Sequence, residues 1–302
     1  MTIAHPKSTP MPTDPAVTPA LTSARTSAPA SAATAGGDVS GGAAPLVAEG
    51  LSLGYGSGLI IDGLHLEIRP GSFTVVIGPN GCGKSTLLRG LGRLLPPRAG
   101  RVLLGGRDLH KLAPKEAARE ISVLAQSSIA PDGITVANLV ARGRFPHQGL
   151  FQQWTEADER AIHDALTATG TFDLSAQRVN ALSGGQQQRV WVAVALAQQT
   201  PIMLLDEPTT YLDVAHQVEL MELFTDLQHA GRTMVAVLHD INQAIRYATD
   251  LVVMHEGRVV ACGNPSEIVT AQLISDVFAL DCSVFPDPLT GLPMMLPAKR
   301  ER

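Results

Sequence analysis

From Leu46 onward the chain moves between two hydrophobic patterns. Apolar runs at Leu46 to Leu53, Leu64 to Ile68 and Phe73 to Ile77 read as strands, because strand side chains alternate between faces and a strand buried on both faces becomes continuously apolar. Short apolar runs at Ser122 to Leu124, Ile202 to Leu205, Thr233 to Leu238 and Leu251 to Met254 follow, separated by segments of helical period. That alternation predicts an α/β domain with a mainly parallel sheet. Between Ser127 and Gln186 the strand signal stops, and Val136 to Ala141 and Thr155 to Thr169 read as helices. This predicts a helical insertion at about 127–187 between two parts of the sheet. Residues 1–45 show neither period, contain no aromatic residue and are rich in Ala, Ser, Thr and Pro. They are expected to form a disordered extension to a domain spanning 46–302. A targeting role for them is the weaker reading, since no apolar segment follows a basic start.

The run Phe73 to Ile77 feeds into Gly78-Pro79-Asn80-Gly81-Cys82-Gly83-Lys84-Ser85, which fits G-x-x-x-x-G-K-[ST] without a mismatch. A helix is predicted from Ser85 to Leu95, stopped by Pro96 and Pro97, so the motif has the strand, loop and helix it requires. Its glycines let backbone N–H groups approach phosphate oxygens. Lys84 directs charge at the β and γ phosphates, Ser85 offers a hydroxyl to Mg²⁺, and Thr86 reaches a more proximal phosphate from the helix start. The loop alone says only nucleotide.

Ile202 to Leu205 ends in Asp206 and Glu207. Asp206 would emerge at the carboxyl edge of a parallel sheet, where ligand sites lie, and suits Mg²⁺ through water. Glu207 could accept a proton from an attacking water. Taken alone, both acids could equally cap the turn that follows, but the P-loop upstream favours the Mg²⁺ and base roles. Leu182-Ser183-Gly184-Gly185-Gln186 is a second glycine-rich turn before a predicted helix at Gln187 to Gln198, and thus another helix-start anion site.

With these three segments in one chain, the sequence resembles the ATP-binding cassette family over about Leu46 to Pro297. The resemblance implies a P-loop NTPase (RecA-like) α/β core with a mainly parallel sheet, an N-terminal antiparallel β subdomain and an inserted α-helical subdomain. It implies that His239 is the switch histidine at the γ-phosphate, that Gln126 contacts Mg²⁺, and that Tyr55 stacks on adenine. Ser183, Gly184, Gly185 and Gln186 form the signature that binds the γ-phosphate held by the P-loop of a second copy, and Asp213 sits in the loop that communicates across that interface. Asp213 also suits an N-cap for Val214 to Leu223. ATP sandwiched between two copies is therefore expected.

Within the family the likeness is greatest to ATPases of iron–siderophore importers. It rests on Ala141 to Gln148, on Pro208 to Gln217 and on Leu238 to Ala244. Tyr211 stands where many cassette ATPases carry a small residue, and Gln187 replaces an expected basic residue. The resemblance implies ATP hydrolysis that powers import through integral membrane permease subunits, with a substrate-binding protein acting through the permease. The chain would then sit at the cytoplasmic face of the membrane. Importers of haem or cobalamin share this architecture, and a non-transport cassette acting as a mechanical switch is a more distant reading.

Composition narrows these readings further. A net charge of −5 over 302 residues offers no basic stripe for nucleic acid. Three irregularly spaced cysteines, one inside the P-loop, suggest a reducing compartment. The longest apolar stretch, Val190 to Ala197, is far short of the roughly 20 residues that span a bilayer. Contact with a membrane is expected through a partner.

Overall fold

The computed structural model describes residues 44–126, 129–149 and 154–299. The expected extension lies outside the described residues except for Ala44 and Pro45, as do the first residues of the expected insertion.

The chain opens with an antiparallel hairpin, β1 (Leu46–Tyr55) and β2 (Gly58–Ile68), and then enters β3 (Phe73–Ile77) and α1 (Lys84–Leu91). After β4 (Ala99–Leu104) and the two-residue β5 (Arg107–Asp108) come α2 (Pro114–Glu120) and β6 (Ile121–Leu124). A helical region follows, with α3 (Val136–Ala141), a 3-10 turn at Arg142–His147, α4 (Glu156–Ala168) and α5 (Gly184–Ala197). The chain then alternates through β7 (Ile202–Asp206), α6 (Val214–His229), β8 (Thr233–Val237), α7 (Ile241–Tyr247) and β9 (Asp250–His255). It closes with β10 (Arg258–Gly263), α8 (Pro265–Ile268), α9 (Ala271–Phe278) and a hairpin of β11 (Cys282–Pro286) and β12 (Pro293–Pro297).

Two sheets organise these elements. One is antiparallel, in the order β2-β1-β4-β5; the other has the order β10-β9-β3-β8-β7-β6 and is parallel from β9 to β6, with β10 antiparallel at its edge. The central strands read as continuous apolar runs because each face meets a different core. Phe73, Val75 and Ile77 point into one core with Val190, Phe224 and Ile245, whereas Val76 joins Leu53, Leu87 and Leu104 in the other. Fully burying such a side chain contributes about 1.5–3 kcal/mol. Phe73 and Phe224 meet edge to face, with ring centroids 6.4 Å apart.

The helical region is fastened by a buried ion pair. Arg144 Nε donates to Asp158 Oδ1 at 2.8 Å, and its Nη1 donates to Ala197 O at 2.8 Å and Gln199 Oε1 at 2.9 Å. Asp158 also completes a capping box with Thr155 at the start of α4. Gly143 permits this approach, because a Cβ there would stand 2.4 Å from Val194 O in α5.

Several boundaries differ from the sequence reading. The helix after the P-loop ends at Leu91, four residues early: the Gly92 N–H donates to Leu88 O, Arg93 turns left-handed at φ 61°, and Leu94 and Leu95 donate back to Arg89 O. A tight C-terminal turn ends it before the prolines are reached. The helix predicted at Gln187 starts at Gly184, since Ser183 supplies its N-cap. The strands β4, β5, β10, β11 and β12 were not read from the sequence. The three cysteines are all free, and among the described residues no helix is long and apolar enough to cross a membrane.

Candidate functional site

The site forms where β3, β7 and β8, three neighbouring strands, end on the same edge of the parallel sheet. The loop after β3 is shaped by backbone crowding. A Cβ on Gly78 would lie 2.2 Å from Met254 O and 2.8 Å from Cys82 Sγ, so only glycine fits there. Gly83, with φ 106°, is the N-cap of α1 and brings the chain into the helix through a conformation that β-carbons disfavour.

Lys84 folds over this loop. Its Nζ donates to Gly78 O at 2.7 Å and Pro79 O at 3.0 Å, and the residue is 6% exposed. Asn80 and Gly81 lie on the exposed crest, while Cys82 is buried against the loop and burial raises its thiol above the ordinary value. Ser85 Oγ donates to Asp206 Oδ1 at 2.8 Å, which joins the start of α1 to the end of β7. Thr86 is buried beside it. Asp206 is 1% exposed. Burial pushes its carboxyl up from the ordinary range; the Ser85 hydrogen bond pulls it down, the neighbouring Glu207 pushes it up again, and Arg89 and Lys84 pull it down.

Glu207 turns out of the strand in the left-handed region at φ 54°, its N–H donating to Val237 O at 3.2 Å. For a non-glycine residue that conformation costs about 1–2 kcal/mol. It aims the carboxylate across to the end of β8, where Oε1 lies 2.7 Å from His239 Nε2. Thr210 Oγ1 donates to Oε2 at 3.3 Å. Thus Lys84, Ser85, Asp206, Glu207 and His239 converge on one sheet edge. Tyr55 ends β1 and is 45% exposed, with its hydroxyl accepting from Arg89 Nη1 at 3.0 Å.

The signature lies elsewhere. Ser183 Oγ accepts from the Gln186 N–H at 3.3 Å and Gln186 Oε1 accepts from the Ser183 N–H at 3.0 Å, a reciprocal cap that fixes the first turn of α5. Gly184 and Gly185 pack against Tyr211 and Leu212, and a Cβ on Gly185 would come within 3.2 Å of Tyr211 O. A cavity of about 560 Å³ is lined by Ser183, Gly184, Gly185, Gln186, Asp213 and His216, among others, and takes in no P-loop residue. Asp213 is the N-cap of α6 and also lies 2.8 Å from His216 Nδ1. Exposed Gln126 borders a neighbouring cavity of about 340 Å³ with Gln187, Trp191 and Tyr211.

Two residues at the site went unread in the sequence. Arg89 sits one helical turn past Ser85, and Thr210 lies three residues past Glu207. Their spacing from the motifs was the only available signal, and it does not distinguish them from ordinary surface groups.

Known proteins are similar to this chain in sequence and in fold. The family described as ABC transporter matches residues 61–210. The chain is 52% identical over 258 residues to the ferric enterobactin transport ATP-binding protein FepC of Escherichia coli, covering 85% of this chain and 95% of that protein. It is 50% identical to the probable siderophore transport system ATP-binding protein YusV of Bacillus subtilis, covering 86% and 95%. A solved dimeric structure of the ATP-binding cassette MJ0796, in a post-hydrolysis state with ADP and Pi, superposes with a TM-score of 0.66 at 29% identity, covering 72% of this chain and 98% of that one. The chain belongs to the ABC transporter family and is one of its ATP-binding, ATP-hydrolysing subunits.

Proposed function

We propose that this chain powers the import of ferric siderophore by hydrolysing ATP beneath a membrane permease, as a dimer of two copies at the cytoplasmic face. The observation that carries the ATPase part of the reading is the convergence of Lys84, Ser85, Asp206, Glu207 and His239 on one sheet edge. The cargo is supported by the siderophore-transport relatives and by the stretches Ala141 to Gln148, Pro208 to Gln217 and Leu238 to Ala244.

In this reading Lys84 exchanges its loop carbonyls for the β and γ phosphates, and the amides at the start of α1 hold the same anion. Ser85 Oγ and the Asp206 carboxylate are hard oxygen donors of the kind Mg²⁺ takes, so they would hold it, Asp206 through water, with Gln126 joining from the helical side. When bound, that ion neutralises charge on the phosphate oxygens. Glu207 accepts the proton of the attacking water, and His239, already beside it, helps hold that water and contacts the γ-phosphate. Tyr55 stacks on adenine, kept in place by Arg89.

Ser183, Gly184, Gly185 and Gln186 would close on the γ-phosphate bound to the P-loop of the second copy, with Asp213 at the contact. The separate cavity around that turn supports this division of labour. ATP binding then closes the dimer, and hydrolysis with product release reopens it. The test is ATP-dependent uptake of labelled ferric siderophore in vesicles holding the chain with its co-purified permease, with Glu207→Gln as control. Uptake lost in the control supports the reading; hydrolysis without uptake would remove the siderophore assignment.

A further inference from the structure

The last hairpin of the chain is fastened to the segment that carries His239. The Asn242 side chain uses both of its polar groups on one residue: Nδ2 donates to Met295 O at 3.0 Å, and Oδ1 accepts from the Met295 N–H at 2.8 Å. A paired contact of this kind fixes the position and the rotation of the amide together. Met295 is 8% exposed and belongs to the larger core, so β12 is anchored at this residue.

Asn242 lies in the first turn of α7, three residues after His239. Asp240, between them, caps the helix by accepting from the Gln243 N–H at 2.8 Å. The imidazole is about half exposed and reaches Glu207 at 2.7 Å. Its placement therefore depends on the direction in which the chain leaves β8 and enters α7. That direction is set at one side by β8 and at the other by α7, which is held by its buried Ile241, Ala244 and Ile245 and by the clamp on Met295.

We propose that Asn242 is a positioning residue for His239, through which the C-terminal hairpin acts on the rate of ATP hydrolysis without touching nucleotide. The proposal rests on the role given to His239 above. If the clamp merely supported the fold, its loss would be felt equally whether or not His239 is present. If it acts through the imidazole, its loss costs nothing once the imidazole is gone.

The test is a double-mutant cycle on the full chain co-assembled with its permease. Asn242→Ala and Asn242→Asp are measured alone and in a His239→Ala background, with residual turnover followed by phosphate release from radiolabelled ATP. Asn242→Ala is expected to lower kcat about tenfold with KM for ATP within about twofold, and to change the His239→Ala rate by less than about twofold. Asn242→Asp keeps an acceptor for the Met295 N–H but sets a charged second acceptor against Met295 O, and is expected to show a fall of at least similar size with the same dependence on His239. It carries the cycle should the alanine variant fail to fold. An unchanged kcat for these variants, or an equal drop in both backgrounds, overturns the positioning role. Full turnover by His239→Ala alone would overturn the role of His239 itself and the proposal with it, a result distinct from the other two.

Discussion

His239 Nε2 stands 2.7 Å from Glu207 Oε1, a contact between the ends of two adjacent parallel strands. Glu207 reaches it only because its backbone leaves β7 left-handed, at φ 54°. A side chain placed by an unfavourable turn and met by a second polar group has its direction largely fixed before any substrate arrives. Glu207→Gln keeps the size and the hydrogen-bonding reach of this group but removes its capacity to take a proton. Turnover should fall by about 10²- to 10⁴-fold while ATP binding is kept, and the ATP-bound dimer should accumulate in light-scattering measurements. Normal steady-state hydrolysis would remove Glu207 from the role of base.

Lys84 bonds two loop carbonyls with its one ammonium. Lys84→Ala therefore removes a phosphate-directed charge and leaves those carbonyls without it. A hydrogen bond to a charged group is worth about 1.5–3 kcal/mol, so ATP affinity by calorimetry should drop about 10- to 100-fold. Unchanged affinity would contradict the assignment.

Gly78→Ala should act on folding as well as on binding. The new methyl would meet the Met254 carbonyl at 2.2 Å, a backbone contact that cannot swing aside. Overpacking of this kind costs about 1–3 kcal/mol, and thermal unfolding should register it as a lower Tm. An unaltered Tm would mean that the loop relaxes more freely than its packing implies.

Arg144 and Asp158 form a buried pair whose loss should be costly. Arg144→Ala leaves the Asp158 charge without its guanidinium, a change worth about 3–5 kcal/mol. The Arg144 hydrogen bond, ahead of opposing burial and the bonds from Thr155, holds the Asp158 carboxyl below its ordinary range. The resulting stabilisation is fully present above the unfolded-state value of about 3.9 and disappears as pH falls through the lower folded value. The Tm gap between Asp158→Asn and the intact chain should hold from neutrality to about pH 5 and narrow below about pH 4. A gap that widens in acid would reverse this sign.

Pro45 is already part of the folded domain, since its carbonyl accepts from the Gly105 N–H at 3.0 Å. A chain that starts at Ala44 should keep both ATP turnover and Tm, whereas one that also lacks Ala44 and Pro45 loses the acceptor of the Gly105 N–H just before β1. Loss of turnover in the first truncation would give the leading segment a part in the ATPase cycle.

Much of the site was legible because its chemistry lies in contiguous stretches at strand ends. Asp206 and Glu207 follow four apolar residues, and His239 follows six residues that read as a strand. Local spacing was enough to put Asp206 and Glu207 at a strand end, whereas His239 was singled out only through the family resemblance. The contacts that cross the chain left no such mark: Asn242 and Met295 lie 53 residues apart, and nothing periodic links them. The C-terminal hairpin escaped for a related reason, since its strands begin or end in proline and are largely exposed. The end of α1 was misplaced because Pro96 and Pro97 are conspicuous, whereas a turn made by Gly92 and a left-handed Arg93 is decided by geometry.

The far end of α5 is gripped on every side: Arg144 holds Ala197 O, His147 lies 2.8 Å from Gln198 O, and Gln198 in turn donates to Ala118 O and Ile121 O beside the sheet. Its other end carries Gly184 and Gly185. A helix of 14 residues is a rod about 21 Å long, and this one is held along its middle as well, with Val190, Val192 and Ala193 in the larger core and Gln188 Nε2 donating to Pro208 O. One rigid body therefore runs from the surface turn that carries Phe145 to the first turn of α5.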